Sequence, residues 1–203
     1  VNHNLFNTGD AAALATLEPV LKEAETLDYP PLVAEAALRQ GSAQMEAGEF
    51  TAADASFDRA LWTAIGSGHD TVAAQSASKR LFLRAVRINH TDEALRDVTL
   101  VNALTERITQ DVEIQAETLN NLGATYMVAG KYAEARASMS AAMDLRARNG
   151  RGETVLNAYT LSNLGFLDSF TGDDEAAIQH IRQAREIVEE QLGATHPMFL
   201  QIS

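Results

Sequence analysis

Glycines, small residues and large apolar residues recur along the chain at one fixed spacing, and this repeat constrains the fold more than any other feature. Gly41, Gly123 and Gly165 are each followed by a second Gly seven residues later. A weaker copy aligns Phe82 with these glycines and Asn89 with the second Gly. The four anchor positions 41, 82, 123 and 165 are therefore separated by 41, 41 and 42 residues.

Each copy predicts a helix, a turn and a second helix. In the third copy, apolar and small residues recur at i, i+3, i+4 and i+7, which is one helix face: Leu119, Leu122, Gly123 and Tyr126. Gly130 follows where that helix should end, because Gly tolerates the left-handed conformation of a helix terminus. A second apolar stripe then runs through Ala135, Met139 and Ala142. One such pair cannot bury both of its apolar faces, so we expect an all-α fold of stacked antiparallel helix pairs.

These residues resemble the tetratricopeptide repeat, whose signature places Leu-Gly, Tyr and Ala at fixed offsets. The similarity covers residues 32–191. The period exceeds the usual length of about 34 residues, as it does in kinesin light chains. The segment from Gln191 to Pro197 is similar to the Leu-Gly-x-x-His-Pro link of that group. Long-period repeats also occur in bacterial signalling proteins, including those with serine/threonine protein kinase domains. The resemblance implies a right-handed superhelical α-solenoid.

The chain is predicted to form a single solenoid over residues 1–203, with its second repeat degenerate. The four repeats are expected at residues 32–66, 72–108, 113–148 and 155–191. Residues 10–28 are predicted to form the second helix of a truncated repeat, and residues 195–203 the start of a further one. The sequence does not begin with Met, so we expect a fragment of a longer protein.

Composition excludes several classes of function. The net charge of −12 disfavours binding to nucleic acid and to anionic membranes, which depends on Lys and Arg. The absence of Cys rules out disulfides, thiolate metal sites and a Cys nucleophile. No apolar run is long enough to insert into a bilayer. These features leave the compartment open, with the cytoplasm favoured.

The resemblance implies that the first helix of each pair lines a concave groove that binds a peptide. Family contacts often come from the residue two positions before the anchor, which here is Arg39, Arg80, Asn121 or Asn163. An Asn amide both donates and accepts hydrogen bonds, so it can pair with any peptide backbone. We therefore predict a ladder of four polar side chains for an extended peptide: Asn120, Asn121, Ser162 and Asn163. The alternative is that these side chains bond neighbouring helices.

A basic stripe marks the second copy. Four of the 16 basic residues lie within nine positions: Lys79, Arg80, Arg84 and Arg87. The three arginines are spaced for one helix face, and Arg39 should lie beside Arg80. Arg holds carboxylates and phosphates bidentately, so the stripe predicts an acidic partner. The alternative is a solvated face that pairs with neighbouring acids.

Two phenylalanines at i and i+4, Phe166 and Phe170, lie near the same face of the last copy. They predict an apolar pocket for a peptide side chain. The alternatives are that they belong to the core or pack against a further repeat.

The sequence contains no motif for catalysis. There is no phosphate-binding Gly-x-x-x-x-Gly-Lys loop and no kinase motif. The five histidines are scattered, which makes a metal site improbable. We therefore expect no enzyme activity and no cofactor in this chain.

The leading hypothesis is a protein-interaction scaffold that holds a partner peptide or protein segment in the groove. One alternative is the regulatory or sensor region of a larger bacterial signalling enzyme, such as a serine/threonine protein kinase. Another is a structural module that forms homo-oligomers through its terminal helices.

Overall fold

Eight α-helices account for most of the chain in the computed structural model, which describes residues 17, 19–152, 154–195 and 199. Within these described residues there is no β-strand, and residues 19–26 are also helical. The helices are α1 (Pro30–Glu46), α2 (Phe50–Ser67), α3 (Asp70–Phe82), α4 (Thr91–Thr105), α5 (Val112–Val128), α6 (Tyr132–Arg148), α7 (Val155–Thr171) and α8 (Asp174–Leu192). The predicted all-α architecture of consecutive helix pairs is confirmed.

The chain divides after Ile114 into two compact units. Unit 1 contains α1 to α4, and each of these helices packs on the next. Unit 2 contains most of α5 together with α6, α7 and α8, and α7 packs closely on α8. The predicted helix over residues 10–28 lies partly outside the described residues. Most of the predicted segment 195–203 also lies outside them.

The turn within each helix pair has a left-handed residue seven positions after the anchor. Gly48, Gly130 and Gly172 have φ of 80°, 72° and 82°. Asn89 takes this conformation in the second copy, with φ of 58°. Gly and Asn are the residues that enter this region most readily. The following N–H then donates back to the helix end, as from Lys131 to the Tyr126 carbonyl at 2.9 Å.

The anchor glycines allow the paired helices to approach closely. A Cβ atom on Gly123 would lie 2.5 Å from Met139 Cγ and 3.1 Å from the Ala135 carbonyl oxygen. A Cβ atom on Gly165 would lie 2.8 Å from Ile181 Cγ1. These distances are too short for any side chain, so the large residue 16 positions after the anchor fills the space that the Gly leaves.

The second copy has Phe82 at its anchor, and the helix changes character there. A π-helical turn over Leu83–Arg87 follows α3 directly. The N–H of His90 donates to the Arg84 carbonyl at 2.7 Å to close the end. A π turn contains more residues than an α turn, so Arg87 does not keep the α-helical spacing from Arg80 that the sequence predicts. The Arg87 guanidinium lies 5.8 Å from the centre of the Phe82 ring.

Each unit has an apolar interior between its helices. In unit 1 the largest fully buried apolar side chains are Phe57, Leu61, Leu81, Leu83 and Val101. In unit 2 a cluster of Ala158, Leu161, Ala184 and Val188 joins α7 to α8. Burial of each large side chain contributes roughly 1.5–3 kcal/mol, so these interiors hold the first helices in fixed positions.

Candidate functional site

The basic stripe of unit 1 is bound to a carboxylate from the preceding hairpin. Arg84 Nε–H and Nη2–H donate to the two oxygens of Asp54 at 2.8 and 3.0 Å. Arg80 Nε–H donates to Asp54 Oδ1 at 3.2 Å. A bidentate arginine–carboxylate pair is among the stronger polar contacts in proteins. Asp54 therefore links α2 to α3 and to the π turn.

The contacts of Asp54 belong to a larger ionic network. Arg80 Nη1 lies 2.8 Å from Asp58 Oδ1, which also accepts a hydrogen bond from Trp62 Nε1–H at 3.0 Å. Arg84 Nη1–H donates to Asp97 Oδ2 on α4 at 3.2 Å. Both arginine side chains are largely buried. This is the arrangement that the alternative hypothesis describes, in which the stripe pairs with neighbouring acids.

The ionic network shifts the protonation of its two central groups. Burial tends to raise the pKa of Asp54, but the hydrogen bond from Arg84 and the charges of both arginines outweigh it and hold that pKa below the ordinary 3.8. The hydrogen bond to Asp54 in turn raises the pKa of Arg84. Both groups are therefore charged throughout the physiological range.

The lowered pKa of Asp54 predicts an acid-dependent loss of stability in unit 1. Because the folded chain binds this proton less tightly than the unfolded chain, the stabilisation is complete above pH 3.8 and disappears as the pH falls through the folded-state pKa. The difference in unfolding free energy between wild type and Asp54→Asn should therefore shrink in acid, which denaturant titrations at several pH values would measure. A difference that stays constant at low pH would contradict this expectation.

The other predicted basic residues are more accessible. Arg39 is exposed on α1 and Arg87 is exposed after the π turn. Lys79 is half-buried on α3.

In unit 2 the structure brings the predicted asparagines of α5 and α7 together. Asn163 Nδ2–H donates to Asn120 Oδ1 at 3.1 Å, so these two amides bridge neighbouring first helices. Both remain half-buried and keep polar atoms beyond this bond. Asn121 and Ser162 are buried. The accessible part of the predicted ladder is therefore the pair of Asn120 and Asn163.

An aromatic stripe runs along α7 on either side of Asn163. Tyr159, Phe166 and Phe170 are 48%, 51% and 68% exposed. With Asn163 they follow a spacing of four, three and four residues, which is one face of a helix. Val128 on α5 lies at the same offset from its anchor as Phe170 and is also exposed. Tyr159 and Val128 are absent from the sequence prediction, although their repeat offsets could have identified them.

A buried carboxylate joins three helices of unit 2. Asp168 on α7 is completely buried, and it pairs with Arg136 from α6. His180 Nδ1–H of α8 donates to Asp168 Oδ2 at 2.6 Å. Arg136 lies 13 residues after its anchor, and so does Asp54 in unit 1. The same repeat position therefore carries an ionic contact to the following first helix in both units.

The described part of the chain contains no group of three or more His, Asp or Glu side chains that could hold a metal ion. Within that same part, every helix is too short or too polar to cross a bilayer.

Comparison with known proteins identifies the repeat and the fold. Residues 114–197 match the family model described as tetratricopeptide repeat. The crystal structure of BtubC (BKLC) from P. vanneervenii superposes with a TM-score of 0.76 at 19% sequence identity. The match covers 95% of this chain and 80% of that one. No curated protein sequence matches the chain significantly.

Proposed function

Because the chain is a tetratricopeptide-repeat protein, we propose that it binds a segment of another protein along the first helices of unit 2, α5 and α7. Repeats of this family generally mediate protein–protein interaction, and their fold is typically non-catalytic. The observation that carries the proposal is the exposed stripe of Tyr159, Phe166 and Phe170 beside the bridged asparagines. Large aromatic side chains are normally buried or functional, so three on one exposed helix face favour a binding surface.

The surface combines two kinds of contact. At one end, Val128 and Phe170 offer apolar area from equivalent positions of α5 and α7. Near the middle, Asn120 and Asn163 lock each other in place while their remaining donors and acceptors stay available for a peptide backbone. A partner segment would therefore bury an apolar side chain against Phe170 and pair its backbone with the amides.

The charge pattern argues that an apolar side chain is the main anchor. An acidic partner on unit 1 would have to replace Asp54, which already satisfies Arg80 and Arg84. Breaking a largely buried ion pair is costly, because it leaves a charge uncompensated. Acidic groups of a partner would instead meet the exposed Arg39 or Arg87, where an ion pair contributes little.

Truncation of Phe170 tests this surface. Peptides would be selected from a random displayed library against the wild-type chain, and their affinities measured by fluorescence anisotropy. Phe170→Ala should weaken the selected peptides by about 10-fold or more, since central aromatic residues carry most of the binding energy. Asn163→Ala should give a smaller loss.

Tyr132→Ala provides a matched control, because Tyr132 is also an exposed aromatic residue of unit 2 but lies on a second helix, α6. Its affinities should equal those of wild type. Peptides that bind Phe170→Ala as tightly as wild type would rule out the proposed surface.

A further inference from the structure

The exposed face of α8 carries side chains in a symmetrical order. Reading along the helix, an apolar residue and two cationic residues are followed by two anionic residues and another apolar residue. These are Ile178, Arg182, Arg185, Glu186, Glu189 and Leu192. At 3.6 residues per turn, their spacing places all six within about one third of the helix circumference. The order inverts about a point midway between residues 185 and 186.

This face has little cover within the chain. Ile178 and Leu192 are 60% and 40% exposed. Among the described residues, Arg182, Glu186 and Glu189 form no ion pair and are exposed. Arg185 stacks on the Phe199 ring at 4.5 Å.

The equivalent position in two earlier hairpins shows what such a face normally contacts. Ile178 lies 13 residues after its anchor, as Asp54 and Arg136 do after theirs. Both of those residues contact a following first helix through an ion pair. Ile178 has no charge to offer, so the α8 face requires an apolar partner at this end.

We propose that α8 pairs with α8 of a second copy of this chain in an antiparallel, two-fold arrangement. The two-fold axis passes between residues 185 and 186, so Arg182 meets the partner's Glu189 and Arg185 meets the partner's Glu186. Symmetry repeats each contact, which gives four ion pairs. At both ends of the helix pair, Ile178 packs against the partner's Leu192. Such a self-complementary patch is the requirement for an isologous dimer.

The charge order also fixes the orientation of the two helices. In a parallel pair with the same axis, Arg182 would face a second Arg182 and Glu189 a second Glu189, and like charges in contact are repelled. Surface ion pairs contribute little individually, so we assign most of the affinity to the apolar ends and the choice of direction to the charges. This inference does not depend on the groove proposed for α5 and α7.

Charge reversal within α8 tests the dimer, with mass measured by sedimentation equilibrium of the whole chain over a wide concentration range. Wild type should reach twice the mass of one chain as concentration rises. Arg182→Glu should weaken association by about 10-fold or more, because it places carboxylates opposite each other at two sites. The double variant Arg182→Glu with Glu189→Arg restores the pairing and the wild-type net charge, so it should restore association.

Arg39→Glu is the control, since it changes the net charge as Arg182→Glu does but lies on α1. It should associate like wild type, and circular dichroism should show equal helix content in all variants. A wild-type chain that stays monomeric at every concentration would overturn the proposal. So would an Arg182→Glu variant that associates like wild type, or a correctly folded double variant that does not recover.

Discussion

Replacing Asp54 with Asn is expected to lower the unfolding free energy of unit 1 by about 2–3 kcal/mol. The change removes the only negative charge that contacts both Arg80 and Arg84, and it leaves one guanidinium without its bidentate partner. Loss of one partner from a fully buried pair costs about 3–5 kcal/mol. The value here is smaller because the three side chains keep some contact with water.

Tryptophan fluorescence during denaturant unfolding would measure this effect. Trp62 is the only Trp in the chain and lies in unit 1, so its emission reports that unit. Asp97→Asn is the matched control: Asp97 makes a single hydrogen bond to Arg84 and is more exposed than Asp54. Its loss should stay below about 1 kcal/mol. Equal losses in the two variants would show that the bidentate geometry at Asp54 has no special weight.

Gly123→Ala is expected to destabilise unit 2 by about 2 kcal/mol, despite the higher helix propensity of Ala. The new methyl group would overlap Met139 Cγ and press on the carbonyl oxygen of Ala135. The Met139 side chain can shift, but the carbonyl belongs to the backbone of α6. The two helices must therefore separate, which loosens the contacts around them.

Gly66→Ala is the counterpart of this change. Gly66 lies within α2, and a Cβ atom there would meet nothing within 4 Å. This variant should gain about 0.5–1 kcal/mol from helix propensity alone. Thermal unfolding followed by circular dichroism compares the two. A Gly123→Ala chain as stable as wild type would show that the short helix separation is not required.

The turns and helix pairs could be predicted from the sequence because they depend on local rules. Gly at 48, 130 and 172 indicates left-handed helix ends, and the offset alone indicates Asn89 as the fourth. Gly123 and Met139 signal a close contact through their constant separation of 16 residues. Each inference needs only one residue type and its position in the repeat.

The ionic network could not be predicted in the same way. Asp54 and Arg84 are 30 residues apart, and their contact depends on how α2 packs on α3 and the π turn. A helix-face argument identifies which direction Arg84 points but not the side chain that it meets. The π turn itself has no signal in a spacing rule, since it changes the hydrogen bonding without changing the residue count. The exposure of Tyr159 likewise depends on which neighbours cover α7.

The ion pair that joins one hairpin to the next has opposite polarity in the two units. In unit 1 the acid, Asp54, lies on the second helix and the arginines lie on the following first helix. In unit 2 the second helix carries Arg136 and the following first helix carries Asp168. A gene rearrangement that put the first hairpin in place of the third would set Asp54 against the buried Asp168. The hairpins of this chain are therefore not interchangeable modules, and their order along the polypeptide is encoded at the junctions.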